Sequence, residues 1–422
     1  MKQSLRISIL VHGFPPNENA GTEQHSFMLA HALEQEGHSV QIISATRSPA
    51  HPHGAVLSTK NIHRIVNNVA ARPLKNKEID TIIRDVIHDL WNDFAPNIIH
   101  IQHIQFLSSD LRLPCPALCT LHDAWFWCAA GGQEKNHNNE ICSGATPQRC
   151  AECAPRWAPQ LPKRGKILIS IAQKLHPIVS ATTLNTLWKQ LPPCIRHSFS
   201  NAQNTTLPAK RLDAQQRNEQ MRVLANTCAI RISPSSYLAQ RAQMHSIPNV
   251  RIIRHGVREH RNHIGGRGFV FVGTIASHKG PHIVYQAHQQ SSVKNILLRF
   301  YGPLLDSKLI PSAVWEGEKT QEEILSIVQH ADALVMGSIW PENAPLVIIE
   351  ALSVGCPVIA PDIGGIAELI RHNETGLLYK AGDVHALQVA LETISALPPF
   401  SFRPPLFSEV SAEYISLYRS LL

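Results

Sequence analysis

Two glutamates stand eight residues apart, Glu342 and Glu350, in the segment Trp340-Pro-Glu-Asn-Ala-Pro-Leu-Val-Ile-Ile-Glu350. The apolar run from Leu346 to Ser353 reads as a helix. Eight residues are about two turns, so the two carboxylates are expected on roughly one face. The helix start between them, around Asn343, Leu346 and Val347, offers backbone N–H groups and a positive dipole end. Such a start suits a diphosphate. A carboxylate beside it can accept hydrogen bonds from sugar hydroxyls. An isolated glutamate pair more often reflects a helix-start preference and a solvated side chain, so the surrounding residues decide.

Four other groups could take part. Gly273 and Thr274 open a loop that reaches Lys279, a cation suited to an anionic group. Gly21 follows a proline-rich loop and precedes a helical pattern, where a missing side chain lets backbone approach a ligand closely. His122 and Asp123 fall at the expected carboxyl end of a strand, with Asp123 placed to orient the ring or to serve an acceptor. Cys128, Cys142, Cys150 and Cys153 are separated by 13, 7 and 2 residues. The last gap is a metal-knuckle spacing, and four thiolates bind zinc tetrahedrally, so structural zinc is expected here. Four unrelated buried thiols are the plainer reading.

These residues need elements to hold them. Leu5–Val11 reads as a buried strand, Thr22–Glu36 as a helix ending at Gly37, and Val40–Ser44, Asn97–Ile101 and Pro116–Leu121 as further strands. Residues 124–159 break the rhythm and read as an insertion. A second series starts after the glycine-rich stretch His260–Gly268: strands at Phe269–Val272, Ile296–Tyr301, Ala333–Met336 and Pro357–Ala360, with helices between them. Thr320 and Glu323 form a capping-box pattern, Asp383 can cap a helix over Val384–Leu397, and Ile366–Ile370 reads as helical. Strand–helix alternation implies parallel sheets with right-handed crossovers, hence α/β architecture in two doubly wound domains. Ligands bind such sheets at the carboxyl ends of the strands, so a central cleft is the expected site.

The segment from Ala331 to Asp383 resembles the family 4 glycosyltransferases of the GT-B fold. It carries the Glu342–Glu350 pair, then Glu350-Ala-Leu-Ser-Val-Gly-Cys-Pro-Val-Ile-Ala, Gly364-Gly365-Ile-Ala-Glu368, Thr375-Gly376 and Gly382-Asp383 in order. Phe269-Val-Phe-Val-Gly273-Thr-Ile-Ala-Ser-His-Lys279-Gly280 and Phe14-Pro-Pro-Asn-Glu-Asn-Ala-Gly21-Thr-Glu23 extend the likeness. The resemblance implies two Rossmann-like domains, a nucleotide-sugar donor, sugar transfer with retention, and no catalytic metal. Glu342 would lie by the donor sugar, Glu350 would bind the ribose, and Lys279 the diphosphate. Thr274 stands where the family usually has arginine; it can donate a hydrogen bond but cannot neutralise charge. His278 or Arg254 is the expected source of a second cation. His122 would lie near sugar and acceptor.

Residues 1–258 are expected to form the acceptor-side domain, 259–398 the donor domain, and 399–422 a helix returning to the first. The 422 residues are 44% hydrophobic and 17% charged, a globular balance. Net charge is +7 and the isoelectric point about 9.0. That favours anionic partners. No interleaved basic and aromatic stripe appears, so nucleic acid is not expected. The N-terminus lacks a signal-peptide pattern and no 20-residue apolar run occurs, so a cytoplasmic protein is expected. The basic stretch Pro162–Phe199 suggests peripheral contact with the inner membrane face, where a glycan or lipid-linked acceptor would fit. A nucleotide-sugar epimerase or phosphorylase of the same fold, and a non-catalytic membrane-associated scaffold, remain the alternatives.

Overall fold

The computed structural model describes residues 4–48, 50–68, 79–135, 140–153, 211–400 and 402–422. The stretch 162–199 and the end of the cysteine insertion, 154–159, lie outside them. The chain divides into two compact units. Unit 1 comprises Met1–Ile232, Ala242–Arg251 and Leu417–Leu422; unit 2 comprises Ser233–Arg241 and Ile252–Ser416.

In unit 1 the chain runs β1 (Arg6–Val11), α1 (Gly21–Gln35), β2 (Ser39–Thr46), β3 (Val56–Thr59), β4 (Ile62–Val66), α2 (Thr81–Phe94), β5 (Ile98–Ile101) and β6 (Ala117–Thr120). There follow α3 (Pro147–Cys153), α4 (Arg211–Thr227), β7 (Ile230–Ser233), α5 (Ser236–Met244), whose residues up to Arg241 belong to unit 2, and β8 (Val250–Ile252). The sheet order is β3-β4-β2-β1-β5-β6-β7-β8. β1 pairs in parallel with β2 on one side and β5 on the other, so the winding reverses between β1 and β5. β1 is apolar along nearly its whole length because both faces are covered; Ile7, Ile9 and Leu10 are fully buried. α2 starts where the Asp80 carboxylate accepts from Ile83 N and ends at Ala95 in the left-handed region (φ 48°). Its Ile83, Ile87 and Trp91 recur at four-residue spacing and face inward, and Trp91 Nε1 donates to Ser8 Oγ at 3.0 Å.

The β3–β4 hairpin is absent from the sequence reading. Its strands are short, and its turn takes positive φ at Lys60 (φ 53°) rather than at glycine, so no turn signal marks it.

Unit 2 contains β9 (Phe269–Val272), α6 (Pro281–Gln290), β10 (Leu298–Tyr301), β11 (Val314–Trp315), α7 (Gln321–His330), β12 (Ala333–Val335), α8 (Leu346–Ser353), β13 (Val358–Pro361), β14 (Gly376–Tyr379), α9 (Val384–Thr393) and α10 (Phe407–Ser420) up to Ser416, the rest of α10 belonging to unit 1. The sheet is parallel throughout, in the order β11-β10-β9-β12-β13-β14, and reverses between β9 and β12. Strand alternation builds two cores. Phe269, Phe271 and Phe300 face one side with Val284, Ala287 and Leu391 of α6 and α9. Val270, Leu334 and Val358 face the other with Val328, Ile348 and Leu352 of α7 and α8. Each Val, Leu, Ile or Phe side chain among them contributes about 1.5–3 kcal/mol on burial.

The expected caps form: Thr320 and Glu323 make a reciprocal capping box on α7, and Asp383 accepts from Ala386 N on α9. The segment read as a helix over Ile366–Ile370 is instead a single 3₁₀ turn, Ile366–Glu368. Its start is pinned, because Gly365 N donates to Glu342 O at 2.8 Å.

Candidate active site

The unit 2 site lies at the reversal point of its sheet, where open α/β sheets place ligands. One loop follows β9 and carries Gly273, Thr274, His278 and Lys279; the other follows β12 and carries Ser338, Trp340, Glu342 and Asn343. Glycines bring the two loops into contact. A Cβ on Gly280 would lie 1.7 Å from Gly337 O, and one on Gly337 would lie 2.2 Å from Gly280 O. Any side chain at either position would force the loops apart.

Lys279 Nζ donates to Glu342 Oε2 at 2.8 Å. Ser338 Oγ donates to the other carboxylate oxygen. Glu342 is 5% exposed, so this pair is held away from most water, whereas Lys279 keeps 24% of its side chain exposed. Lys279 also lies 5.3 Å from the centre of the Trp340 ring, a cation–π distance, and the His278 ring meets that indole edge-on at 5.9 Å. Trp340 Nε1 is buried with no hydrogen-bond partner among the described residues.

The eight-residue spacing does not act as two helical turns. α8 begins only at Leu346, after Pro345 at the N-cap, so Glu342 sits in the preceding loop. The carboxylates have different partners: Glu342 has Lys279, while Glu350 Oε1 accepts from Gln321 Nε2 at 2.9 Å. Burial pushes the Glu350 carboxyl above its ordinary value, opposed by Gln321 and by the charge of Arg258. Leu346 and Val347 form the first turn of α8, and Pro345 supplies no side-chain cap there. The Asn343 side chain accepts from Ser235 Oγ. Gly365 passes under its carbonyl, where a Cβ would lie 1.8 Å from Asn343 O. Thr274 stays in the β9 loop beside Gly273. Arg254, one expected second cation, is committed elsewhere: it forms a 3.0 Å ion pair with Glu368, which also accepts from Ser236 N and Tyr237 N.

Unit 1 gathers a second constellation at its own reversal point. His12 follows β1, Gln102 and His103 follow β5, and His122 and Asp123 follow β6. His12 Nε2 lies 3.0 Å from Glu23 Oε1, and His103 Nε2 lies 3.4 Å from Asp123 Oδ1. The His12 and His103 rings are 4.4 Å apart, and those of His25 and His122 are 5.2 Å apart, edge to face. Burial alone would raise the Glu23 carboxyl, but the hydrogen bond and charge of His12 hold it below its ordinary value. His103 does the same for Asp123 against burial. Asp123 therefore serves His103 and the Trp125 amide, not the His122 ring. A partner of His122 is Gln102, whose Oε1 lies 2.5 Å from His122 Nε2. Gly21 is the first residue of α1, and a Cβ there would meet nothing within 4 Å. His12, Glu23, His25, Gln102 and His103 were not singled out in the sequence. Their shared signal, position just past a strand end or in the first turns of the helix behind it, is visible only once the strand order is known.

The four cysteines of the insertion line one cavity, together with Trp127 and Arg149. The expectation of zinc gains no support there. Among the described residues, no group of three or more His, Cys, Asp or Glu is placed to hold a metal ion. The sulfurs meet protein groups instead: Cys142 Sγ donates to Gly144 O at 3.3 Å, and Cys150 Sγ accepts from Asn218 Nδ2 at 3.5 Å. Among the described residues, no helix is long and apolar enough to cross a membrane.

Two family models match the chain: Glycosyltransferase Family 4 over residues 20–146, and Glycosyl transferases group 1 over residues 259–402. Together they cover more than half of it. The amylovoran biosynthesis glycosyltransferase AmsK of Erwinia amylovora is 38% identical over 84 residues, 19% of this chain and 21% of that protein. The putative colanic acid biosynthesis glycosyltransferase WcaL of Salmonella typhimurium is 25% identical over 145 residues, 30% of this chain and 36% of the relative. The aligned stretches thus span well under half the length of these relatives. Among solved structures, sucrose-phosphate synthase from Thermosynechococcus elongatus superposes with a TM-score of 0.59 at 14% identity, covering 99% of both chains. HepE of Anabaena, in complex with UDP and glucose, superposes with a TM-score of 0.54 at 13% identity, covering 99% of this chain and 100% of its own. At such identity these likenesses speak for the fold, two parallel-sheet α/β domains of GT-B type. With one family model on each half and both motif series in place, the chain belongs to the family 4 glycosyltransferases.

Proposed function

We propose that the protein transfers a sugar from a nucleoside-diphosphate sugar to a hydroxyl of a glycan or lipid-linked acceptor, with retention of configuration, in surface polysaccharide assembly. The observation that carries this is the Lys279–Glu342 pair at the unit 2 reversal point, beside the uncapped start of α8. The anomeric carbon loses its bond to the departing phosphate oxygen and gains one to the acceptor oxygen, and the acceptor proton leaves on the phosphate. Charge grows on the leaving diphosphate, so catalysis is chiefly its electrostatic stabilisation. Lys279 supplies the cation, the Leu346 and Val347 amides supply donors, and Thr274 and the Trp340 indole N–H supply further hydrogen bonds. Gly273 leaves room for the phosphates. Glu342 receives sugar hydroxyls and Glu350 the ribose. Gly21 and His122 belong to the same reaction from unit 1. A membrane-bound acceptor would bring the basic stretch 162–199 to an anionic lipid face.

The complexes of HepE with UDP and UDP-glucose support beginning with UDP-sugars. A panel of nucleotide sugars, read by thermal shift, should yield at least one that raises Tm by RT ln(1 + [L]/Kd). Product analysis with that donor, with and without acceptor, separates transfer from epimerisation. If Lys279→Ala and Glu342→Ala both left transfer intact, the assignment would be wrong.

A further inference from the structure

His122 is held by a hydrogen-bond chain that crosses the interior of unit 1 to the end of the polypeptide. An amide oxygen only accepts, so the contact from Gln102 Oε1 to His122 Nε2 places the ring proton on Nε2 and the lone pair on Nδ1. That assignment depends on which way round the Gln102 amide sits. Its nitrogen is 3.2 and 3.4 Å from the two ring nitrogens of His100, nearly equidistant, which puts it over the ring face. The ring nitrogens themselves have other partners: Tyr418 Oη at 2.7 Å and Thr120 Oγ1 at 2.8 Å. An N–H directed at an aromatic face is attractive, whereas a carbonyl oxygen there would meet its negative side. His100 thereby fixes the amide, and the amide fixes the ring of His122. His100, Gln102, Thr120 and Tyr418 are all inaccessible to solvent, so water does not compete. Burial also drives the His100 pKa down to about 3, which keeps that ring neutral near pH 7.

We propose that Gln102 is the positioning residue for His122, holding it as the Nε2–H tautomer, and that Tyr418 of α10 sets this orientation through His100. The effect of this tautomer on transfer rests on the role given to His122 above; the tautomer itself does not. Residues 102 and 418 are far apart in sequence, yet Leu417–Leu422 belongs to unit 1 and places Tyr418 against β5.

The test uses the full chain with ¹⁵N-labelled histidine, whose side-chain shifts distinguish protonated from bare ring nitrogens. The His122 signals are those that vanish in His122→Ala. At pH 7.5 the wild type should show His122 protonated on Nε2. Gln102→Leu should lower the ratio of the two tautomers by about fivefold, the worth of one neutral hydrogen bond. Tyr418→Phe should lower it by a smaller factor. A proton on Nδ1 in the wild type, or an unchanged ratio in Gln102→Leu, overturns the proposal. An unchanged ratio in Tyr418→Phe overturns its α10 part. Gln102→Glu guards against a leucine variant that does not fold. It keeps shape and acceptor but adds a charge, so the His122 titration midpoint should rise by about one unit or more; a midpoint that stays put overturns the proposal. In transfer assays, Gln102→Leu and His122→Ala should be non-additive. If His122→Ala leaves transfer unchanged, the functional reading of His122 fails while the tautomer result stands.

Discussion

The two units solve the same placement problem with different chemistry. Each puts polar side chains just past the strand ends where its sheet reverses. Unit 2 does so with an ion pair from two loops, Lys279 and Glu342, backed by an indole and the start of α8. Unit 1 does so with imidazoles, two of them paired to carboxylates and one to an amide. The ionic site is suited to a group of fixed negative charge. The imidazole site is suited to hydroxyls, whose protons can be given or taken at little cost near neutral pH. Donor and acceptor chemistry would thus be divided between the units by residue type.

The largest effect that could break this comparison is on rate. Lys279→Ala should lower kcat/KM about 10²–10³-fold, as removal of one preorganised donor to a developing negative charge does, measured as release of the donor's nucleotide in the presence of acceptor. A comparable loss from Asp123→Asn but none from Lys279→Ala would reverse the roles assigned to the units. Next comes acid sensitivity. The folded-state pKa values of His100 (about 3) and His103 are lowered by burial. Between the folded and unfolded values the unfolded chain binds more protons, so their contribution is full above about pH 6.5 and is lost as pH falls below it. Each such group fully inside its window contributes a slope of about 1.4 kcal/mol per pH unit. Urea unfolding at pH 7.5, 6 and 5 should show stability falling, with hydrogen exchange rising first in unit 1. A flat profile would remove the buried neutral histidines from the description. The smallest effect is at a site away from either constellation. Thr320→Ala breaks the capping box of α7 and should cost about 1 kcal/mol with transfer unchanged. A change in transfer would tie unit 2 stability to its chemistry.

What could be read from the sequence follows from distance along the chain. Glu342, Asn343, Leu346 and Glu350 lie in one segment, and the Thr320 and Asp383 caps are decided by neighbours three residues away, so local pattern suffices. Glu342 and Glu350 do not share the face their spacing predicts, because the helix begins only after Pro345. The unit 1 network joins residues 12, 23, 102–103 and 122–123, and its support reaches residue 418. No local rule links them. Strand order does, and that is set by long-range pairing of buried strands. His122 could be singled out alone, but its partner could not, since Asp123 is its neighbour in sequence and Gln102 its neighbour in space.

The contact between Gly280 and Gly337 bears on how this protein can change. Each residue occupies the space that the other's side chain would need, so neither position has an acceptable single step away from glycine. A substitution at either is accommodated only if both loops move. Redesign of the site would therefore leave these two glycines alone and begin with Trp340 and Thr274, side chains on the same two loops.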